Sequence, residues 1–254
     1  MSKSPYSAAL VTGASHRIGK HIALSLAELG YDVAVHYHGS EEAAAEVADA
    51  ICDMGRKAVT VRADLADEIT TGSLLARASD MLGRPIDILV NNASLFEKDD
   101  IHSFTAESWN AHHAVNLFAP VLLTQKLAQT LSTKQKAAVI NLIDQRVLKL
   151  NPQYYSYTSS KAALWNATRT GAQALAPNIR VNAISPGPTL ANTRQSKEEF
   201  AQEAAKVLLQ QGPALDEISN AVRFLLETPS MTGQMITLDG GQHLAWRTED
   251  ILED

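Results

Sequence analysis

The chain has one cysteine in 254 residues, few aromatic side chains (6%) and no excess of positive charge. The first and the last of these each exclude a class of protein. A single thiol, Cys52, cannot close an internal disulfide, and without a nearby histidine or second cysteine it suggests no metal site. Its Ala-rich surroundings mark it instead as a small buried hydrophobe. A formal net charge of -6 and a pI near 5.7 lack the basic stripe that a phosphate backbone requires, so nucleic acid is not an expected partner. No apolar run reaches the roughly 20 residues that span a bilayer, so no membrane partner is expected. Met1 to Leu10 also lack a charged n-region followed by an apolar h-region, which makes the cytoplasm the expected location.

With 45% hydrophobic side chains the chain can bury a sizeable core, and its length suits one domain over 1–254. Short β-branched runs at Ala8–Val11, Val33–His36, Ala58–Val61, Ile86–Val90, Ala137–Ile143, Ile179–Ile184 and Met235–Leu238 read as buried strands. Between them, Gly19–Leu29, Glu41–Met54, Ile69–Met81, Glu107–Leu131, Tyr154–Leu175 and Leu215–Leu226 have helical spacing. Such alternation predicts an α/β fold of Rossmann-like, doubly wound type: a parallel sheet with helices on both faces and ligands at the carboxyl ends of the strands. The polar stretch Thr189 to Pro213, partly helical around Lys197 to Glu203, reads as a substrate lid or an ordinary solvated loop.

The first strand runs into Thr12-Gly13-Ala-Ser-His-Arg17-Ile18-Gly19, a turn that opens a helix and brings backbone N–H groups towards a pyrophosphate, or is a tight turn alone. The second strand ends in His38-Gly39-Ser40, where an NAD-selective site would present a carboxylate. None is there to repel a 2′-phosphate, which favours NADPH; a water-exposed His38 is the plainer reading. Asp64, followed by Leu65 after the third strand, is placed to accept a bond from an adenine amino group or simply to form a turn. Tyr157 and Lys161 stand one helical turn apart, so an ammonium can make a phenol more acidic, although any amphipathic helix can carry this pair as surface decoration.

Thr12-Gly13…Gly19, Asn91-Asn92-Ala93-Ser94, Asn116, Tyr157-x-x-x-Lys161 and Pro186-Gly187, in this order, resemble the short-chain dehydrogenase/reductase family over nearly the whole length. The resemblance implies NAD(P)(H) as cosubstrate, which the strand end narrows to NADPH, assembly as a homotetramer or homodimer, and a proton relay through Asn116, Tyr157 and Lys161. Asn116 would hold a water linking Lys161 to solvent. It also implies that Asn92 and Ala93 wall the cofactor site, with Pro186, Gly187 and Thr189 near the nicotinamide amide and pyrophosphate.

Two departures resemble pteridine reductases: Arg17 replaces the middle glycine of the usual turn, and Asp144 stands where the family usually has serine. The subfamily is also similar at His36-Tyr37-His38-x-Ser40, Asn91-Asn92-Ala93-Ser94-x-Phe96 and Tyr154-x-x-Tyr157, though Gly39 departs from an arginine found in some members. Bacterial dihydromonapterin reductases share Arg17 and Asp144. This resemblance implies reduction of a pterin, dihydropterin or dihydrofolate C=N bond. Phe96 would stack on the heterocycle, Arg17 would reach its polar edge and the pyrophosphate, and Ser94, Asp144, Tyr154 and Tyr157 would complete the pocket. A ketone or 3-oxoacyl thioester reductase is the rival, and a non-catalytic NADP-binding module a second.

Overall fold

The computed structural model describes residues 6–132, 134–190, 198, 202 and 205–246. Seven strands, β1 (Ala8–Val11), β2 (Asp32–Tyr37), β3 (Ala58–Arg62), β4 (Ile88–Asn91), β5 (Ala137–Leu142), β6 (Ile179–Pro186) and β7 (Met235–Leu238), form one parallel sheet in the order β3-β2-β1-β4-β5-β6-β7. The order reverses direction between β1 and β4, which places the ligand crevice beyond their carboxyl ends. Successive side chains face opposite ways. Val33, Val35, Ile88 and Val90 therefore join one core cluster, whereas Ala34, Leu89 and Val139 join the other. Each fully buried Val, Leu or Ile contributes about 1.5–3 kcal/mol of transfer energy, so two such layers carry the fold.

Helices α1 (Arg17–Glu28), α2 (Glu41–Asp53), α3 (Glu68–Leu82), α4 (Ala106–His113), α5 (Ala119–Thr130), α6 (Tyr155–Leu175) and α7 (Leu215–Glu227) cover the sheet. On α1, Ile22, Ala23, Leu26 and Ala27 form the buried stripe; on α2 it is Ala44, Val47, Ala48 and Ile51. Cys52 is exposed, which corrects the expectation that it is buried. One residue past Ile51 turns about 100° around the helix, off the apolar stripe. Among the described residues, no helix is long and apolar enough to cross a membrane.

The stretch expected as one helix, Glu107–Leu131, is instead interrupted by a π-helical turn at Ala114–Phe118. Apolar periodicity does not register one extra residue per turn, and such turns gather at functional sites. Here the turn carries Asn116. The helical character expected around Lys197 to Glu203 lies outside the described residues, apart from Glu198 and Gln202.

Candidate active site

The glycine-rich turn after β1 is fastened on three sides. Thr12 Oγ1 accepts the Asn92 and Ala93 N–H groups at 2.9 and 3.0 Å, and Asn92 Nδ2 donates to the carbonyls of Thr12 (2.8 Å) and Gly13 (3.1 Å). The Gly13 N–H donates to His36 Nδ1 at 3.0 Å, while His36 Nε2 donates to the Ala63 carbonyl at 3.2 Å, which fixes the ring as the neutral Nε2–H tautomer. Burial pushes His36 down to about 4, so it remains neutral. Gly13 takes φ +61, and a side chain at Gly19 would collide with the Gly13 carbonyl. Helix α1 consequently sits close on the turn. Its first turn has neither a side-chain cap nor an acidic residue, which leaves N–H groups and a positive helix end for an anion. Ile18, in that first turn, packs on the core.

Arg17 occupies the left-handed region at φ +55, a conformation that disfavours any side chain. Its guanidinium is exposed and donates to the Leu190 carbonyl at 3.2 Å, bridging the turn to the segment after β6. Pro186 ends β6 and Gly187 follows it; a Cβ on Gly187 would lie 2.7 Å from Asp239 Cα, and Thr189 Oγ1 donates to the Gly187 carbonyl at 3.0 Å.

At the other end of the crevice, His38 Nε2 lies 3.8 Å from Asp64 Oδ2, and Asp64 Oδ1 accepts the Ala66 N–H at 2.9 Å. Asp64 thus forms the turn that was one of its two readings. Leu65 is buried in the core. Gly39 has open space around it, and Ser40 starts α2 without a side-chain cap bond. An exposed arginine that the sequence did not single out, Arg62, donates from Nε to the His38 carbonyl at 3.2 Å. Pairing of Tyr37 with Arg62 across β2 and β3 brings it there.

The reacting end is built by β5 and α6. Tyr157 Oη donates to Asp144 Oδ2 at 2.9 Å. Burial pushes the phenol well above its ordinary value, the Asp144 carboxylate adds to this, and Arg146 and Ser94 offset part of it. This corrects the expectation that Lys161 makes Tyr157 more acidic. Lys161 Nζ donates to the Leu142 carbonyl at 2.8 Å and lies 5.8 Å from the Tyr157 ring centroid; burial lowers its own value to about 8.

The Asn116 side chain bonds on both its oxygen and its nitrogen to protein groups. Its carboxamide oxygen accepts the Leu95 N–H (2.8 Å) and the Ser94 hydroxyl (3.2 Å), and its nitrogen donates to the Leu95 carbonyl (2.9 Å) and Ser160 Oγ (3.1 Å). The π-turn thereby clamps the segment carrying Ser94 and Phe96 to α6. Phe96 stacks on Tyr154, with centroids 4.3 Å apart and planes within 7°, and meets Tyr157 edge-on at 4.7 Å. One face expected to be free for a heterocycle is therefore covered by Tyr154, itself left-handed at φ +57. Arg146 lies over both Phe96 and Tyr154, at 5.4 and 5.0 Å. His36 and Arg146 also escaped the site assignment from sequence. A histidine inside an apolar strand and an arginine two residues after Asp144 were the available signals.

A family model described as enoyl-(acyl carrier protein) reductase matches residues 13–243. Two crystal structures are 49% identical to this chain: FolM alternative dihydrofolate reductase 1 from Brucella suis in complex with NADP (TM-score 0.94, 98% of this chain and 100% of that one) and its counterpart from Brucella canis, complexed with NADP (TM-score 0.92, 98% and 99%). The 3-oxoacyl-[acyl-carrier-protein] reductase FabG of Staphylococcus aureus is 32% identical over 244 residues, covering 93% of this chain and 98% of the relative.

Proposed function

The chain belongs to the short-chain dehydrogenase/reductase family, and we propose that within it the protein reduces a C=N bond of a pterin, dihydropterin or dihydrofolate. It is an NADP(H)-dependent oxidoreductase. The residues present fit that cofactor. An uncapped α1 N-terminus on a left-handed glycine suits a pyrophosphate, and His38 and Arg62 stand at the strand ends where a 2′-phosphate would be held. Bound there, the nicotinamide supplies hydride to the substrate carbon.

The observation that carries the pterin reading is the Tyr157 hydroxyl resting on the Asp144 carboxylate. A ketone oxygen offers only lone pairs, which a carboxylate repels. A pterin offers ring nitrogens, N–H groups and an exocyclic amine, so Asp144 accepts from an N–H while Tyr157 hands its proton to the ring nitrogen. Lys161, buried beside the tyrosine, replenishes that proton, and Asn116 holds the Ser94–Phe96 wall in place. The FolM relatives at 49% identity support this reading over that of the FabG relative at 32%. The test is where the label goes: with NADPH carrying transferable deuterium, the deuterium should appear on a ring carbon next to nitrogen in a reduced pterin. Label found only in a hydroxyacyl product would refute it. A homotetramer is part of the same reading, with exposed Phe118 and Val121, three positions apart on one helical run, as a candidate contact and light scattering as its check, and a cytoplasmic location accords with the chemistry.

A further inference from the structure

We propose that Arg146 is a positioning residue of the proton relay, acting through Asp144 on Tyr157. Residue 146 holds both oxygens of that carboxylate: its backbone N–H donates to Asp144 Oδ1 at 2.8 Å, and its guanidinium Nη1 stands 3.5 Å from Oδ2. Oδ2 is the oxygen that accepts the Tyr157 hydroxyl. The guanidinium is held in turn by its place over the Phe96 and Tyr154 rings, while its buried Nε has no acceptor among the described residues.

The physical role follows from charge. As Tyr157 gives up its proton, phenolate and carboxylate become neighbouring anions, an arrangement that opposes the step unless a cation offsets one of them. Lys161 Nζ donates to the Leu142 main-chain carbonyl and lies 5.8 Å from the Tyr157 ring centroid. Arg146 is beside the shared oxygen itself, and its charge offsets the rise that burial and Asp144 impose on the phenol. A planar guanidinium also fixes where Oδ2 points, and hence where the hydroxyl is held.

The inference rests on the reductase reading of this site, though not on a pterin as substrate. Arg146→Met, Arg146→Lys, Asp144→Asn and Arg146→Met/Asp144→Asn are compared with wild type on whichever substrate it reduces, pterin or ketone. Arg146→Met should lower kcat about tenfold or more, with KM and the NADPH dissociation constant within about twofold, and should enlarge the solvent deuterium isotope effect on kcat. Arg146→Lys should recover part of the loss. In the Asp144→Asn background, Arg146→Met should change kcat by less than about twofold, because the coupling runs through the carboxylate. Unchanged kcat, a rise in KM alone, or fully additive losses would each overturn the assignment. Where Arg146→Met does not fold, Arg146→Gln takes its place in the same cycle. A wild type that oxidises NADPH with no substrate of either kind removes the reductase reading and this proposal together, whereas an active wild type with an additive cycle removes this proposal alone.

Discussion

Tyr157 Oη and Asp144 Oδ2, thirteen residues apart in sequence, meet at 2.9 Å where α6 passes the end of β5. Tyr157→Phe removes the proton and little packing area. It should lower kcat by at least about 100-fold while leaving NADPH affinity within about twofold. Turnover and cofactor titration on the same preparation check this, and near-wild-type turnover would exclude Tyr157 as the proton donor.

Asp144→Ser restores the hydroxyl that the family usually carries. On a pterin it should reduce kcat/KM by about tenfold or more, since a charged acceptor with two oxygens for Tyr157 and a ring N–H gives way to one neutral hydroxyl. Loss of the Arg146 contacts adds to the effect. Improved activity of the variant on every substrate would count for a ketone reductase.

Cofactor choice should reside in His38, Gly39 and Arg62. Arg62→Ala should weaken NADPH relative to NADH by about tenfold, the worth of one charge-assisted hydrogen bond, and Gly39→Asp should act in the same direction by repulsion. Both are read as the ratio of kcat/KM for the two cofactors. A wild type that prefers NADH would contradict this placement of the 2′-phosphate.

His36 makes the fold sensitive to acid. Its folded value of about 4 lies below its ordinary 6.5, so the unfolded chain binds the proton first. The stability it contributes is present above pH 6.5 and is lost as pH falls towards 4, about 3 kcal/mol in all. Protonation at Nδ1 also ejects the Gly13 N–H, so cofactor affinity of the folded protein should hold down to about pH 5 and fall only as pH approaches 4. Thermal melting from pH 7 to 4 should show a steeper decline for wild type than for His36→Gln. Parallel curves would remove His36 as the cause.

The strands were legible because each is a short β-branched run whose alternate residues face two different helical layers. The glycine turn and the Tyr157 and Lys161 pair were legible because local spacing alone sets them. What depended on tertiary contact was not. Nothing in the periodicity of 107–131 announces the π-turn, which accompanies four hydrogen bonds between the Asn116 side chain and Ser94, Leu95 and Ser160. The phenol rises rather than falls because burial and Asp144 outweigh Arg146 and Ser94, whose distances no sequence displays. Arg62 reaches the His38 carbonyl only through strand register, and Cys52 misses the core by one step around α2.

The most direct measurement is the ratio of kcat/KM for 7,8-dihydrobiopterin or dihydrofolate to that for an acetoacetyl thioester, with NADPH as donor for both. A carboxylate bonded to the proton-donating tyrosine should place that ratio above one, by about tenfold or more. Reduction of the thioester with no NADPH oxidation on any pterin or folate would contradict it.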